Sequence, residues 1–224
     1  MKIFIVSLLT FSSLLGAIGE VTAIIGDAQI QRESKILTVE RGLDIELKDR
    51  LETEHHSKVQ VIMSDETVIT IGPRSSYSFE RYQEGSTPIV EMRLQRGFFK
   101  IVTGKIGKIA PERFKVKTEA ATIGIRGTQF MATVQKERES IACSKGALII
   151  ETQERNFELP AGMMLVYENQ HWRMQEMDTA FFTPLLAEEL PADKTPLEKS
   201  TTFLPDFRDS YTPMEQQMDK EHWQ

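Results

Sequence analysis

Residues 114–130, FKVKTEAATIGIRGTQF, alternate apolar and polar side chains with the period of two that an extended strand sorts onto two faces. Phe114, Val116, Thr118 and Ala120 share one face, and Lys115, Lys117 and Glu119 share the other. Ile123 and Ile125 then stand on odd positions, whereas Phe130, Ala132 and Val134 stand on even ones. The apolar parity therefore changes within Arg126-Gly127-Thr128. One extra residue at Gly127, in a conformation glycine reaches cheaply, predicts a bulge that returns both apolar sets to the same side of a sheet.

Arg126 stands beside that kink, and its planar fork of donors allows two roles. It could clamp several carbonyls exposed by the bend. With Gly127 and Thr128 it could instead anchor a carboxylate or phosphate of a ligand or partner. No other basic or glycine-rich, phosphate-cradling feature surrounds it, which favours the clamp.

The same grammar extends over residues 20–175, where short apolar runs are separated by turn residues at fairly regular spacing, the pattern of an all-β domain. Val59, Val61 and Met63 face Ile69 and Ile71 across Asp65-Glu66, as in a hairpin. Arg41-Gly42, Arg96-Gly97, Lys145-Gly146 and Ala161-Gly162 each lead into an apolar strand. Such loose repetition predicts stacked short strands, either a β-solenoid-like stack or an elongated β-sandwich.

The two ends differ in composition. Residues 1–19 read as a secretory signal peptide, with Lys2, an apolar run from Ile3 to Leu15, and Ala17-Ile18-Gly19 at cleavage spacing, the cut expected after Gly19. An uncleaved anchor is the alternative, but the run is short and interrupted by Thr10, Ser12 and Ser13. Residues 176–224 form an acidic, proline-containing tail expected to be mostly disordered. Phe181-Phe182 with Leu185-Leu186 is expected to pack back on the β domain as a lid. Phe203-Leu204 with Phe207 has the composition of a docking motif. Without Lys2 the chain keeps 26 of its 27 basic residues against 33 acidic ones, a net charge of −7 that argues against nucleic-acid binding. No membrane span is expected after the leader.

Catalytic chemistry is sparse. The single cysteine, Cys143, sits in an apolar strand pattern and reads as a buried free thiol. His55 and His56 are adjacent, so a strand would point them to opposite faces, which makes them exposed loop-edge residues rather than metal ligands. Ser75, Ser76 and Ser78 lack a nucleophile elbow. Glu112 and Glu119 flank the central segment as a conceivable carboxylate pair for glycan hydrolysis, although scattered carboxylates ordinarily form a solvated face. Gly124-Ile125-Arg126-Gly127 is too short for a dinucleotide loop. The chain is expected to be non-enzymatic, with no cofactor and no metal.

The order Phe114, Val116, Thr118, Ala121, Gly124, Ile125, Arg126-Gly127-Thr128 and Phe130 resembles the signature of the FecR domain family. Upstream the likeness passes through Gly26, Gly42, Asp49, Asp65 and Thr67, and downstream through Gly97, Phe98 and Lys145-Gly146-Ala147, over about residues 20–170. Glu119 stands where the family often has proline, and Asp65-Glu66-Thr67 where it usually has Asp-Gly-Thr. The resemblance implies Phe114, Thr118, Gly124 and Phe130 as structural motif positions. It also implies a periplasmic domain that binds an envelope protein, as in regulators of iron uptake that couple a receptor to a sigma factor. Here the β domain follows the leader directly, so a scaffold or sensor component is expected rather than the sigma-regulating output. Two other readings remain open. One is a glycan-binding or glycan-acting envelope protein, for which Trp172 and Trp223 are the only tryptophans. The other is direct sensing of a small ligand, such as a metal chelate, at Arg126.

Overall fold

The computed structural model describes residues 16–178, together with Ala180 and Phe182. Residues 1–15, Phe181, Leu185, Leu186 and the second apolar cluster at Phe203, Leu204 and Phe207 lie outside the described residues.

The period-two segments all become strands. The chain opens with β1 (Gly19–Ile25), β2 (Ala28–Arg32), β3 (Lys35–Thr38), β4 (Asp44–Ile45), β5 (Arg50–Thr53), β6 (Lys58–Met63), β7 (Val68–Ile71) and β8 (Ser76–Gln83). The long β9 (Ile89–Val102) is linked by a short helix, α1 (Lys105–Ile109), and a 3-10 turn at Pro111–Arg113 to β10 (Phe114–Lys117). Two more long strands, β11 (Ala121–Gln135) and β12 (Arg138–Thr152), precede β13 (Asn156–Pro160), β14 (Met163–Glu168) and β15 (His171–Glu176).

The three long strands each serve two layers. β9 pairs with β8 and β10 through its first part, and with β7 and β11 through its last. β11 meets β10 along residues 122–124 and β9 along 129–134, while β12 takes β13 along 147–151 and β14 along 138–142. Hydrogen bonding thus runs through one continuous sheet folded into two layers. The first has the order β3-β2-β5-β8-β9-β10-β11-β12-β13, the second β4-β1-β6-β7-β9-β11-β12-β14-β15. Among the described residues the β9–β10 pair is parallel and all other pairs are antiparallel. The all-β expectation holds in its sandwich form, and β6 and β7 form the expected hairpin around Asp65-Glu66.

Both layers turn their apolar rows to one core, which joins Phe79, Met92, Phe114 and Ile123 of the first to Val61, Ile69, Phe99 and Phe130 of the second. Phe99 and Phe130 meet edge to face at 5.6 Å. Each such side chain contributes about 2 kcal/mol by leaving water. β9 changes layers at Gly97, whose φ is +98° and where a Cβ would lie 2.1 Å from the Ser75 hydroxyl. Only glycine fits that approach.

At the amino end, Ile18 is buried, donates its N–H to Ile45 O (2.8 Å) and accepts from Ser64 N–H (3.0 Å). The expected cut after Gly19 therefore falls inside a paired strand.

A smaller apolar cluster lies on the opposite face of the second layer, where Phe98, Met131, Ala142, Met164 and Val166 surround Phe182. Phe182 is fully buried, with its ring 6.3 Å from that of Phe98. The expected lid is present in this residue. Phe182→Ala should cost about 3 kcal/mol locally and expose the chain after Glu176 to limited proteolysis, without lowering the cooperative unfolding midpoint of the sandwich to the same degree.

Candidate functional site

The bulge predicted at Gly127 is where β11 passes from one layer to the other. Arg126 pairs with Ala147, Gln129 with Lys145 and Phe130 with Cys143, so one extra residue on β11 is followed by one extra on β12, at Ser144. The two shifts compensate. Ile123, Ile125 and Phe130 all enter the same core, as do Leu148, Ile150 and Cys143 from β12, despite their opposite parities. Gly127 has φ +62° and Gly146, facing it, φ +79°.

Thr103, rather than Arg126, holds the bend. The Thr103 N–H and hydroxyl both donate to Thr128 O (3.1 and 3.0 Å), and Thr128 N–H donates to the Thr103 hydroxyl (3.1 Å). The Ser144 hydroxyl donates to Gln129 O (3.0 Å) across the second shift. Arg126 is exposed and its guanidinium makes no hydrogen bond among the described residues, which corrects the expectation that it clamps the kink. The backbone needs no clamp because Thr103 already satisfies it. Gly127 is exposed beside Arg126, while the Thr128 hydroxyl is buried and without a partner among the described residues, so this hydroxyl does not face solvent.

The other motif positions serve packing or a corner. Phe114 and Phe130 are fully buried, and Gly124 lies under Ile149 of β12, where a Cβ would sit 3.4 Å from Ile149 O. Thr118 closes the turn into β11 by bonding Ala121 in both directions, its N–H to Ala121 O (2.9 Å) and Ala121 N–H to its hydroxyl (3.0 Å). That hydroxyl also donates to Glu139 Oε2 (2.6 Å), and Ala120 N–H donates to Glu139 Oε1 (3.1 Å).

Glu139 is the residue that reading the sequence missed. It shares parity with Ile141 and Cys143, and so points inward on an apolar row, which was the available signal. Burial pushes its carboxyl above the ordinary carboxylate range, against the Thr118 and Ala120 hydrogen bonds, with the nearby Glu119 charge adding to the rise. The folded chain then holds this proton more tightly than the unfolded chain does. Stability contributed here is present below the ordinary pKa of about 4.3 and is lost as pH rises through the raised value. Glu139→Gln, which keeps an acceptor for Ala120, should flatten the fall in denaturation midpoint above that pH and leave the variant at least as stable as the parent at neutrality.

Two clefts open at this corner. One, of about 380 Å³, is lined by Thr118, Glu119, Ala120 and Gln153 among others. The second, of about 570 Å³, lies beside it, shares Glu119, Ala120 and Gln153, and is also lined by Glu139, Tyr167 and Trp172.

The remaining candidates fall where packing explains them. Cys143 is buried, its thiol pushed up to about 11 by burial. His55 and His56 occupy an exposed turn, and no group of three potential metal ligands occurs among the described residues. Ser75 is buried, its hydroxyl accepting from Phe98 N–H (3.0 Å) and donating to Gly72 O (2.9 Å). Ser76 and Ser78 bond Glu52 and Glu80. Glu112 precedes β10 and Glu119 follows it, so a whole strand, roughly 10 Å, separates them.

The geometry defines a two-layer β-domain whose signature residues build a strand crossing and a polar corner. Residues 49–148 match the model of the FecR protein family. No curated protein matches the chain. Among solved structures, two crystal structures of a proposed anti-sigma factor from Parabacteroides distasonis ATCC 8503 are similar, at TM-score 0.51 and 18% identity. The likeness covers 60% of this chain and 62% of that one, and shows a shared fold. No helix among the described residues is long and apolar enough to cross a membrane.

Proposed function

We propose that this chain is a periplasmic, non-enzymatic binding component of envelope signalling that recruits an envelope protein through an open edge of its sheet. The match of residues 49–148 to the FecR family supports the class, and the anti-sigma factor likeness supports a protein-interaction role. The observation that carries the docking mode is β3. It ends the first layer and has only β2 as a partner among the described residues. Ile36 on this strand is 72% exposed. An extended partner segment can add there by main-chain hydrogen bonds, with Ile36 as its apolar anchor. Among the motif residues, Thr118 is engaged in the corner, and Phe114 and Phe130 are buried in the core.

A photo-crosslinking residue placed at position 36 of the full chain, beside a control at Ile149, tests this in cells. Ile149 is 46% exposed on a strand paired on both sides. A defined envelope-protein adduct at 36 and not at 149 is the expected result. No adduct, or equal adducts at both positions, would overturn edge docking. An adduct with a receptor or sigma-regulating protein would select iron-responsive surface signalling from among the readings.

A further inference from the structure

Val134, Glu139, Tyr167 and Trp172 form one row across β11, β12, β14 and β15 in direct register. Neighbouring strands are roughly 4.8 Å apart, so Glu139 stands one strand from Tyr167 and two from Trp172. The Tyr167 and Trp172 rings lie 4.8 Å apart with a 40° tilt, and Trp172 meets Phe157 of the first layer at 6.3 Å. Phe157 in turn carries the Arg155 guanidinium over its ring at 4.4 Å. The aromatic platform is thus braced from behind, while both Tyr167 and Trp172 remain partly exposed on the wall of the 570 Å³ cleft.

The rest of that wall selects a ligand class. Gln135 and Gln153 bring amides that both donate and accept. Four carboxylates line the cleft against two cations, Lys136 and Arg138, so phosphates and polyanions are disfavoured. A wholly apolar ligand would leave the two amides without partners. A pyranose ring has what the wall lacks, a C–H face for the aromatic rings and hydroxyl groups around its rim.

We propose that this cleft is a saccharide-binding site, with an uncharged sugar unit stacked on Trp172 and Tyr167 and its hydroxyl groups held by Gln135, Gln153 and Glu119. The site lies at the edge of the sheet opposite β3, so it is independent of the protein-docking edge, and either can fail alone.

Trp172 is its own reporter, since Trp223 is the only other tryptophan. The full chain with Trp223→Phe, titrated with the N-acetylglucosamine trimer and separately with cellotriose up to about 10 mM, should show a saturable change in Trp172 fluorescence with at least one of them. Gln135 is the exposed last residue of β11 and Gln153 lies in an exposed bend, so Gln135→Ala and Gln153→Ala leave the core untouched. Each should weaken binding by roughly tenfold, the effect of one lost polar contact in a small site. A flat response to both sugars, or affinities unchanged in both glutamine variants, would overturn the site.

Discussion

Gly146→Ala is expected to destabilise the domain by roughly 3 kcal/mol or more, whereas Gly127→Ala, one strand away in the same crossing, should cost only about 1 kcal/mol. Both residues lie in the left-handed region, with φ +79° and +62°, and both substitutions carry that conformational cost. The difference is space. A Cβ on Gly146 would lie 2.4 Å from Gly127 O and 2.8 Å from Arg126 O, against backbone that the Thr103 hydrogen bonds hold in place. A Cβ on Gly127 meets nothing within 4 Å. Denaturant midpoints for the two variants, measured side by side, check the contrast. Equal losses would mean that the crossing yields where the geometry makes it rigid.

Adjacent residues in the β6–β7 turn should respond with opposite signs. Asp65→Ala is expected to cost about 3 kcal/mol, because its buried carboxylate accepts from three donors that would be left without partners. Oδ1 takes Thr67 N–H (3.1 Å), and Oδ2 takes the Thr67 hydroxyl (2.9 Å) and Ile106 N–H (3.2 Å). The same residue gives its carbonyl to Lys105 N–H (2.7 Å) and its N–H to the Tyr82 hydroxyl (2.8 Å), so it ties the turn to α1 and β8. Gly104, whose N–H bonds the Thr67 hydroxyl at 2.9 Å, completes this joint.

Glu66→Gly should stabilise by about 1 kcal/mol. Glu66 holds φ +67°, a conformation that costs a residue with a Cβ. What the substitution removes is an ion pair to Lys105 at 2.6 Å between side chains that are 60% and 63% exposed, an interaction of little net worth in water. Thermal denaturation of the two variants reads both signs. A destabilised Glu66→Gly would show that the exposed pair matters more than the backbone.

Much of this was legible in the residues. Strand periodicity, the hairpin at Asp65-Glu66, the bulge at Gly127, the buried thiol of Cys143 and the exposed turn at His55-His56 all follow from local pattern. Arg126 was legible as a position and not as a role, because whether a donor finds carbonyls depends on what else reaches them. Thr103, 25 residues before Thr128, reaches the Thr128 carbonyl first. Glu119 lay in view beside Glu112, yet its companion at the cleft is Glu139, which hydrogen bonds from Thr118 and Ala120 hold beside it.

The sequence by itself determined the all-β class, the inward face of each strand and the site of the parity change, since these depend only on the alternation of side chains along an extended backbone and on where glycine permits a left-handed residue. The tertiary structure alone decided that three strands are shared between two layers, that Gly146 must be bare because Gly127 crosses it, and that Glu139, Tyr167 and Trp172 make one wall. Those outcomes rest on contacts between strands, and register between strands is set by the packing of the whole core rather than by any segment that contributes to it.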